Sequence, residues 1–482
     1  MNVAAIKQQW FSNVRGDILS GMTVALALIP EALAFSIIAG VDPMVGLYAS
    51  FCMAIVIAFT GGRPAMISAA TGAMALLMID LVKNHGVEYL FAATILTGII
   101  QLVLGILKVG RFLSFLPQTV MFGFVNALGI LIFTAQLQHF KGANWAMYAM
   151  VAGTLLIVYV FPLVTKLIPA PLVAIVFMTA VAIFGGGFGL KTVGDMGEIT
   201  RTLPFLHFPA VELSLQTLLI ILPYSLPLAI VGLLESLLTA TVLDDMTDTD
   251  SNKNKEARGQ GLANIVTGLF GGMAGCAMIG QSVINVKSGG RGRLSTLIAG
   301  VFLLFLIMVL GDVVKQIPMA ALVGVMFMVA VGTFDWQSVK DIHKYPISDS
   351  VVMIATVVVV LLTHNLALGV MVGIVISTVV LGWKMARLTI VKEEESDRIV
   401  YYVNGPLFFA TTTIFVNAFH YEGEQMTIVI DFSNSYVWDQ SAMLAVAKVV
   451  GKYESNNKKV VLQGMNSATQ KAMGRIGLES SI

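Results

Sequence analysis

Apolar residues run along the first 390 positions in long blocks separated by short polar or Gly/Pro breaks. About fourteen blocks can be read, near 18–38, 44–60, 67–84, 88–107, 113–136, 146–165, 171–187, 216–243, 259–273, 277–288, 294–311, 318–333, 349–364 and 367–386. A helix that crosses a bilayer needs roughly 17–25 mostly apolar residues, so most of these blocks are long enough to span and a few are short. Past residue 390 the pattern changes. Val391 to Arg398 reads as a charged linker, and 399–482 as a small domain of alternating strands and helices. Its strands are expected at 399–403, 427–432 and 459–463, and its helices at 442–453 and 468–474. Strand and helix alternating over so short a stretch favour an α/β fold.

Composition sharpens this division. The chain is 57% hydrophobic and only 12% charged, against about 45–50% and about 25% for soluble domains. Residues 391–482 hold 18 of the charged side chains, so the deficit lies in the first 390. A soluble enzyme, a secreted disulfide scaffold and a disordered chain are excluded. A net charge of +1 leaves no basic surplus to neutralise phosphates, which argues against a nucleic-acid partner. Cys52 and Cys276 lie far apart in apolar surroundings and suggest neither a disulfide framework nor a metal site. The N-terminus is polar (Lys7, Gln8, Gln9, Arg15) and the first apolar run is too long for a signal peptide, so no cleavable leader is expected.

Lys and Arg set the orientation. With a cytoplasmic N-terminus, the inner segments carry 16 of them, including Arg111 and Lys166, while the outer segments carry 5, including Arg201. This bias predicts an even number of spans in the plasma (inner) membrane, with both termini in the cytoplasm.

Two short blocks stand apart. Gly61-Gly62-Arg63-Pro64 precedes Ser68-Ala69-Ala70-Thr71-Gly72-Ala73, and Gly271-Gly272 precedes Gly275-Cys276-Ala277-Met278-Ile279-Gly280. Small residues stand where a helix would begin partway through the membrane, at corresponding places in two halves of seven spans. Such matched interruptions are the sequence pointer to inverted repeats. Two half-helix N-termini meeting at mid-membrane bring unpaired N–H groups and partial positive charge to one place, which suits an anion. Close helix packing by small residues is the plainer alternative.

Glu235 lies in the middle of the eighth block. A carboxylate there costs a few kcal/mol to insert, so it is expected to face a cavity or a partner. Glu235 and Thr239, four residues apart, share a helix face that can offer oxygens to Na⁺ or take a proton. Glu31, directly after Pro30, is a second candidate for cavity lining. Asp80 is read as solvated, and His139 and His364 as interfacial. Residues 244–258 are read as a solvated cytoplasmic loop; their spaced aspartates lack the glycine and the register of a calcium loop.

Several of these segments carry a family resemblance. Pro30-Glu31-Ala32-Leu33-Ala34, Gly46-Leu47-Tyr48, Thr71-Gly72, Glu235-Ser236-Leu237-Leu238-Thr239 and Asn285-Val286-Lys287-Ser288-Gly289-Gly290 together resemble the SulP family of anion transporters, which includes sulfate permeases, bicarbonate transporters and prestin. Gly405-Pro406-Leu407-Phe408-Phe409 and Ile430-Asp431-Phe432-Ser433 resemble its C-terminal STAS domain. The resemblance implies an all-α polytopic membrane protein of 7+7 inverted repeats, with a core domain, a gate domain and a small α/β STAS domain. Three positions depart from the pattern. Gln281 stands where many relatives have arginine, Glu235 where sodium-coupled bicarbonate members have aspartate, and Asp439-Gln440-Ser441 where the STAS domain usually reads Asp-Ser-Ser/Thr. Ser433 to Trp438 is also unusual.

The expected function is secondary transport of a small inorganic oxyanion, bicarbonate or sulfate, in symport with Na⁺ or H⁺, by elevator-like or rocking movement of core past gate. Thr71, Gly72, Cys276, Ala277 and Met278 are expected to supply backbone donors and lining for the anion. Glu235 and Thr239 would serve the cation, with Glu31, Ser236 and Gln281 as further lining. A homodimer is expected, with the STAS domain as a site for a cytoplasmic regulator; no catalysis and no cofactor beyond the coupling ion are expected. The alternatives are a nucleobase transporter of the same fold and a membrane-anchored STAS sensor or scaffold.

Overall fold

The computed structural model describes residues 3–108, 117–165, 168–186, 188–197, 202–212, 214–363, 365–395, 397–421 and 427–474. Arg111, Lys166, Arg201, His364 and the start of the block at 113 lie outside them. Two compact units divide the chain, 1–374 and 375–482.

After a short N-terminal helix α1 (Val3–Phe11), the first seven membrane helices are α2 (Val14–Ala39), α3 (Pro43–Thr60), α4 (Gly72–His85), α5 (Val87–Ile106), α6 (Gln118–Gln136), α7 (Trp145–Val164) and α8 (Ala170–Phe184). The second seven are α9 (Leu215–Thr247), α10 (Lys253–Leu269), α11 (Ile279–Lys287), α12 (Arg293–Lys315), α13 (Met319–Thr333), α15 (Ile347–Thr363) and α16 (Leu366–Met385), with a five-residue helix α14 (Trp336–Lys340) before α15. Among the described residues eight helices are long and apolar enough to span by themselves. The others are shorter, and in both halves the third is shortest of its neighbours because it starts late: a strand, β1 (Ser68–Ala70) or β2 (Gly275–Ala277), takes the place of its first turns.

Helix contacts sort the halves into the expected layers. The first four helices of each half pack together: α2 on α12, α3 on α10 and α12, α5 on α9 and α10, and α4 on α2 and α9. The remaining helices pack among themselves, α6 on α13 and α15 and α7 on α8 and α13. These are the core and the gate. Small residues permit the close approaches. A Cβ on Gly261 of α10 would lie 2.6 Å from the Gly98 carbonyl of α5, and one on Gly98 2.4 Å from the Gly261 carbonyl.

Only the middle of segment 244–258 is a solvated loop, with Asp248, Thr249, Asp250 and Asn252 exposed; its two ends are helix. Helix α9 runs to Thr247 and α10 starts at Lys253, so only five residues intervene. Asp244 pairs with Arg63 at 3.2 Å, and Glu256 is fully buried. The aspartates and lysines are spaced for a helix terminus and its cap, Asn252, whose side chain accepts the Lys255 N–H.

In the second unit a four-stranded sheet has the order β3-β4-β5-β6, with β3 (Thr389–Glu394) antiparallel to β4 (Ile399–Leu407), and β4, β5 (Thr427–Val437) and β6 (Lys459–Gln463) parallel. Helices α17 (Thr412–Asn417), α18 (Gln440–Glu454) and α19 (Ser467–Gly474) complete it. Tyr401, Phe415, Ile430, Phe432, Val449 and Tyr453 lie in its core. The expected linker 391–398 is half strand: residues 391–394 belong to β3, whose charged side chains sit on an exposed edge and so carry no hydrophobic signal.

Candidate functional site

Extended backbone inside a membrane must find a partner for every N–H and C=O. Here β1 and β2 pair with each other, antiparallel, with Ala69 opposite Cys276. An antiparallel pair at matching places in two halves is what a twofold axis in the membrane plane produces. The groups left over go to side chains. Gly275 gives its N–H to Asn264 Oδ1 at 2.9 Å and takes Asn264 Nδ2 on its carbonyl at 3.0 Å. Ala70 N–H points to Ser50 Oγ at 3.3 Å, and Ile67 N–H to Ser282 Oγ at 3.0 Å. Gly275 admits no side chain, because a Cβ there would lie 2.4 Å from the Ala69 carbonyl oxygen.

The expected site residues converge on this ribbon. Cys276 Sγ lies 3.1 Å from Thr71 Oγ1 and donates to Glu235 Oε2 at 2.6 Å. Thr71 caps α4 through the Met74 N–H, and α9 comes near enough because Gly232 faces α4, where a Cβ would meet Met74 and Gln101. Glu235 is half-buried, whereas Thr71, Gly72, Cys276, Ala277 and Met278 around it are buried. Gly72 opens α4 between Phe35 of the core and Ile132 of the gate; a Cβ there would meet both rims at 3.0 Å.

Three assignments change. Ala277 and Met278 are not open donors: the first gives its N–H to Ser236 Oγ at 3.1 Å, the second to the Ile67 carbonyl at 2.9 Å. The N–H groups without intrahelical partners follow directly, at Ile279, Gly280 and Gln281 in the first turn of α11. Ile279 and Gly280 are exposed, and nothing lies within 4 Å of where a Gly280 Cβ would be. Thr239 donates to the backbone carbonyl of Glu235 at 2.7 Å, so its hydroxyl serves its own helix rather than the carboxylate. Glu31 is buried and accepts a hydrogen bond from Gln281, which ties α2 to the first turn of α11. A cation beside Glu235 would therefore find the carboxylate and Thr71 Oγ1, which meets the same Cys276 thiol, but not the Thr239 hydroxyl. Among the described residues no cluster of three metal-ligating side chains exists.

The sequence pattern alone did not reveal what holds the ribbon. Glu256, Gln260 and Asn264 stand four residues apart on one face of α10 and are all fully buried. Glu256 accepts the N–H groups of Gly62 at 2.6 Å and Arg63 at 3.1 Å; Gln260 donates to Ser68 Oγ at 2.7 Å; Asn264 binds Gly275 and donates to Gln101 Oε1 at 2.9 Å. Gln101 in turn reaches the Ala229 carbonyl of α9 at 3.4 Å. This polar ladder joins both strands, α5 and α9. The i, i+4, i+8 spacing of three amide and carboxyl side chains was the available signal.

Comparison with known proteins places this geometry. Residues 14–155 and 138–356 match the model of the sulfate permease family, and 389–482 that of the STAS domain. YbaR of Bacillus subtilis (strain 168), named for sulfate transport, is 58% identical over 98% of this chain and 99% of its own. The bicarbonate transporter BicA of Picosynechococcus sp. is 27% identical over 97% of this chain and 92% of its own. Among solved structures, the transmembrane domain of a cyanobacterial BicA superposes with a TM-score of 0.68 at 30% identity, covering 74% of this chain and 97% of that one. Murine Solute Carrier 26 family member A9, in its inward-facing state, gives 0.86 at 18% identity over 98% and 89% of the two chains. That second likeness is one of fold.

Proposed function

Because the chain belongs to the sulfate permease family, as an integral membrane protein with a STAS domain, we propose that it carries a small inorganic oxyanion, sulfate or bicarbonate, across the membrane by secondary transport. Its relatives are transporters, not enzymes. The observation that carries the reading is the meeting of two helix N-termini, at Thr71-Gly72 and at Ile279-Gly280, across the β1–β2 ribbon with Glu235 beside them. Both helices aim unpaired N–H groups and the positive end of their dipoles at one place. The anion would lie there, its negative charge matched by N–H groups of α4 and α11, with Thr71 and Met278 lining the pocket.

Glu235 would carry the coupling. A charged carboxylate beside a bound anion repels it; Na⁺ or a proton on Glu235 removes the repulsion, so each favours binding of the other and linkage makes the effect reciprocal. Transport then follows if the core, carrying both half-helices, moves against the gate, and the narrow passage of Gly72 between Phe35 and Ile132 lies on the surface that must slide. We place both termini in the cytoplasm on the Lys/Arg bias and expect a homodimer, which cross-linking in the membrane tests.

A nucleobase carrier of the same architecture is less well supported, since the STAS match at 389–482 and the backbone-donor pocket both favour an inorganic anion. A pure sensor would need no paired half-helices. The deciding experiment is uptake of labelled sulfate, bicarbonate, dicarboxylates and uracil into proteoliposomes, with and without imposed Na⁺ or H⁺ gradients. Gradient-driven uptake of sulfate or bicarbonate supports the proposal; uptake of uracil alone, or of nothing, overturns it.

A further inference from the structure

In the second unit, the sheet register fixes which ends of the strands lie together. Thr389 pairs with Asn404, and Leu407 with Val437, so the start of β3 and the ends of β4 and β5 share one end of the sheet. Strand β5 outruns β6, whose last pairing is Gln463 with Asp431. Its final six residues, Phe432 to Val437, continue against β4 alone and carry the unusual segment Ser433–Trp438 out to that end. Three large rings are exposed there: Phe409 at 69%, Tyr436 at 56% and Trp438 at 60%. Tyr436 and Trp438 meet edge to face with centroids 6.4 Å apart. A water-soluble domain rarely leaves such a patch bare.

The neighbour of this end is a membrane helix. Met385, the last residue of α16, lines one cleft of about 430 Å³ together with Gly405, Pro406, Ser435, Tyr436 and Trp438. Helix α16 has 20 residues, which at about 1.5 Å per residue just covers a hydrocarbon core of about 30 Å. Met385 therefore marks the boundary between lipid tails and headgroups. Trp383, 84% exposed, and the cations Lys384 and Arg387 flank it, the residue types that anchor a helix end at that boundary. The carboxylate at this end of the sheet, Asp439, is occupied by the N–H groups of Ala442 and Phe409, both at 2.8 Å.

We propose that this end of the STAS sheet is docked on the bilayer itself, with Phe409, Tyr436 and Trp438 in the headgroup layer around the end of α16 and Lys384 and Arg387 facing anionic phospholipid. Tyr and Trp suit such a place because one edge of the ring is apolar and the other seeks water. The docking is independent of which anion is carried.

The test uses the full chain in vesicles of phosphatidylcholine and phosphatidylglycerol. Five tryptophans are present, and a variant with Trp10, Trp145, Trp336 and Trp383 changed to Phe leaves Trp438 as the sole emitter. Lipids bearing a nitroxide near the glycerol are expected to quench Trp438 at least about twofold more than lipids labelled near the chain end, and aqueous iodide to quench it weakly. No lipid quenching overturns the proposal, whether iodide then reaches Trp438 (a free surface) or does not (a protein partner or second copy covers it). If that variant does not fold, Phe409→Cys carries a spin label in an otherwise native chain, since Cys52 and Cys276 are both buried. Greater accessibility of that label to oxygen than to an aqueous nickel chelate supports docking on lipid; the reverse order overturns it.

Discussion

Asn264→Ala tests the claim that the polar ladder on α10 positions the site. The side chain makes three bonds beyond its own helix: to the Gly275 N–H at 2.9 Å, to the Gly275 carbonyl at 3.0 Å and to Gln101 Oε1 at 2.9 Å. Alanine leaves all three partners buried and unpaired, in a region where water cannot replace it. Bonds of this kind contribute about 0.6–1 kcal/mol each in membrane proteins and in general, so the loss comes to about 2–3 kcal/mol. Gly275 opens the strand that delivers Cys276 to Glu235 and leads into α11, so part of the loss must appear as misplacement of the anion's donors. If half of it does, the apparent KM for the anion rises roughly tenfold. The assay is initial-rate uptake into proteoliposomes, read alongside the melting temperature in detergent. Asn264→Ala with native KM and native melting would show that the ribbon holds its place without the ladder.

Other outcomes follow from the same geometry. Thr71→Val removes a hydroxyl that caps Met74 and touches Cys276, and is expected to raise KM several-fold in uptake assays without abolishing transport; complete loss in a folded variant would make the hydroxyl itself a primary ligand. One methyl group at two glycines separates frame from pocket: Gly275→Ala meets the Ala69 carbonyl and is expected to abolish monodisperse protein on size exclusion, whereas Gly280→Ala meets open space, keeps stability within about 0.5 kcal/mol and raises KM. Equal behaviour of the two would refute that distinction. Deleting 389–482, so that β3 leaves with its sheet, is expected to lower dimer yield or rate but leave the order of preference in an anion competition panel unchanged; a reordered panel contradicts it.

The membrane helices and the two interrupted segments were legible in the sequence because a bilayer demands long apolar runs and tolerates small-residue breaks only where backbone is buried. Glu235 stood out for the same reason, as a charge that hydrocarbon does not admit without a partner, and the fold sets the Cys276 thiol against it. The α10 ladder was not: Glu256 fell in the segment read as a loop and Gln260 and Asn264 in the block that begins at 259, so one helix face was split between two readings, and only the fold shows that protein, not water, receives all three. That the N–H groups of Ala277 and Met278 are already taken was not legible, because a break in a span does not say which N–H groups the strand before it consumes. Strand β3 was mistaken for linker because an exposed edge strand bears charged side chains.

The central claim is that Glu235 couples an ion gradient to anion movement, and the most direct measurement is accumulation of labelled anion by Glu235→Gln in proteoliposomes under an imposed Na⁺ or H⁺ gradient. Glutamine keeps the shape of the carboxyl group and an oxygen for the Cys276 thiol, but it holds neither a proton nor a net charge for Na⁺. The variant is predicted to fold, to exchange anion down its own gradient, and to accumulate none when only the cation gradient is supplied. Accumulation by Glu235→Gln at the level of the native protein would contradict the account and leave Glu235 as a structural partner of Cys276.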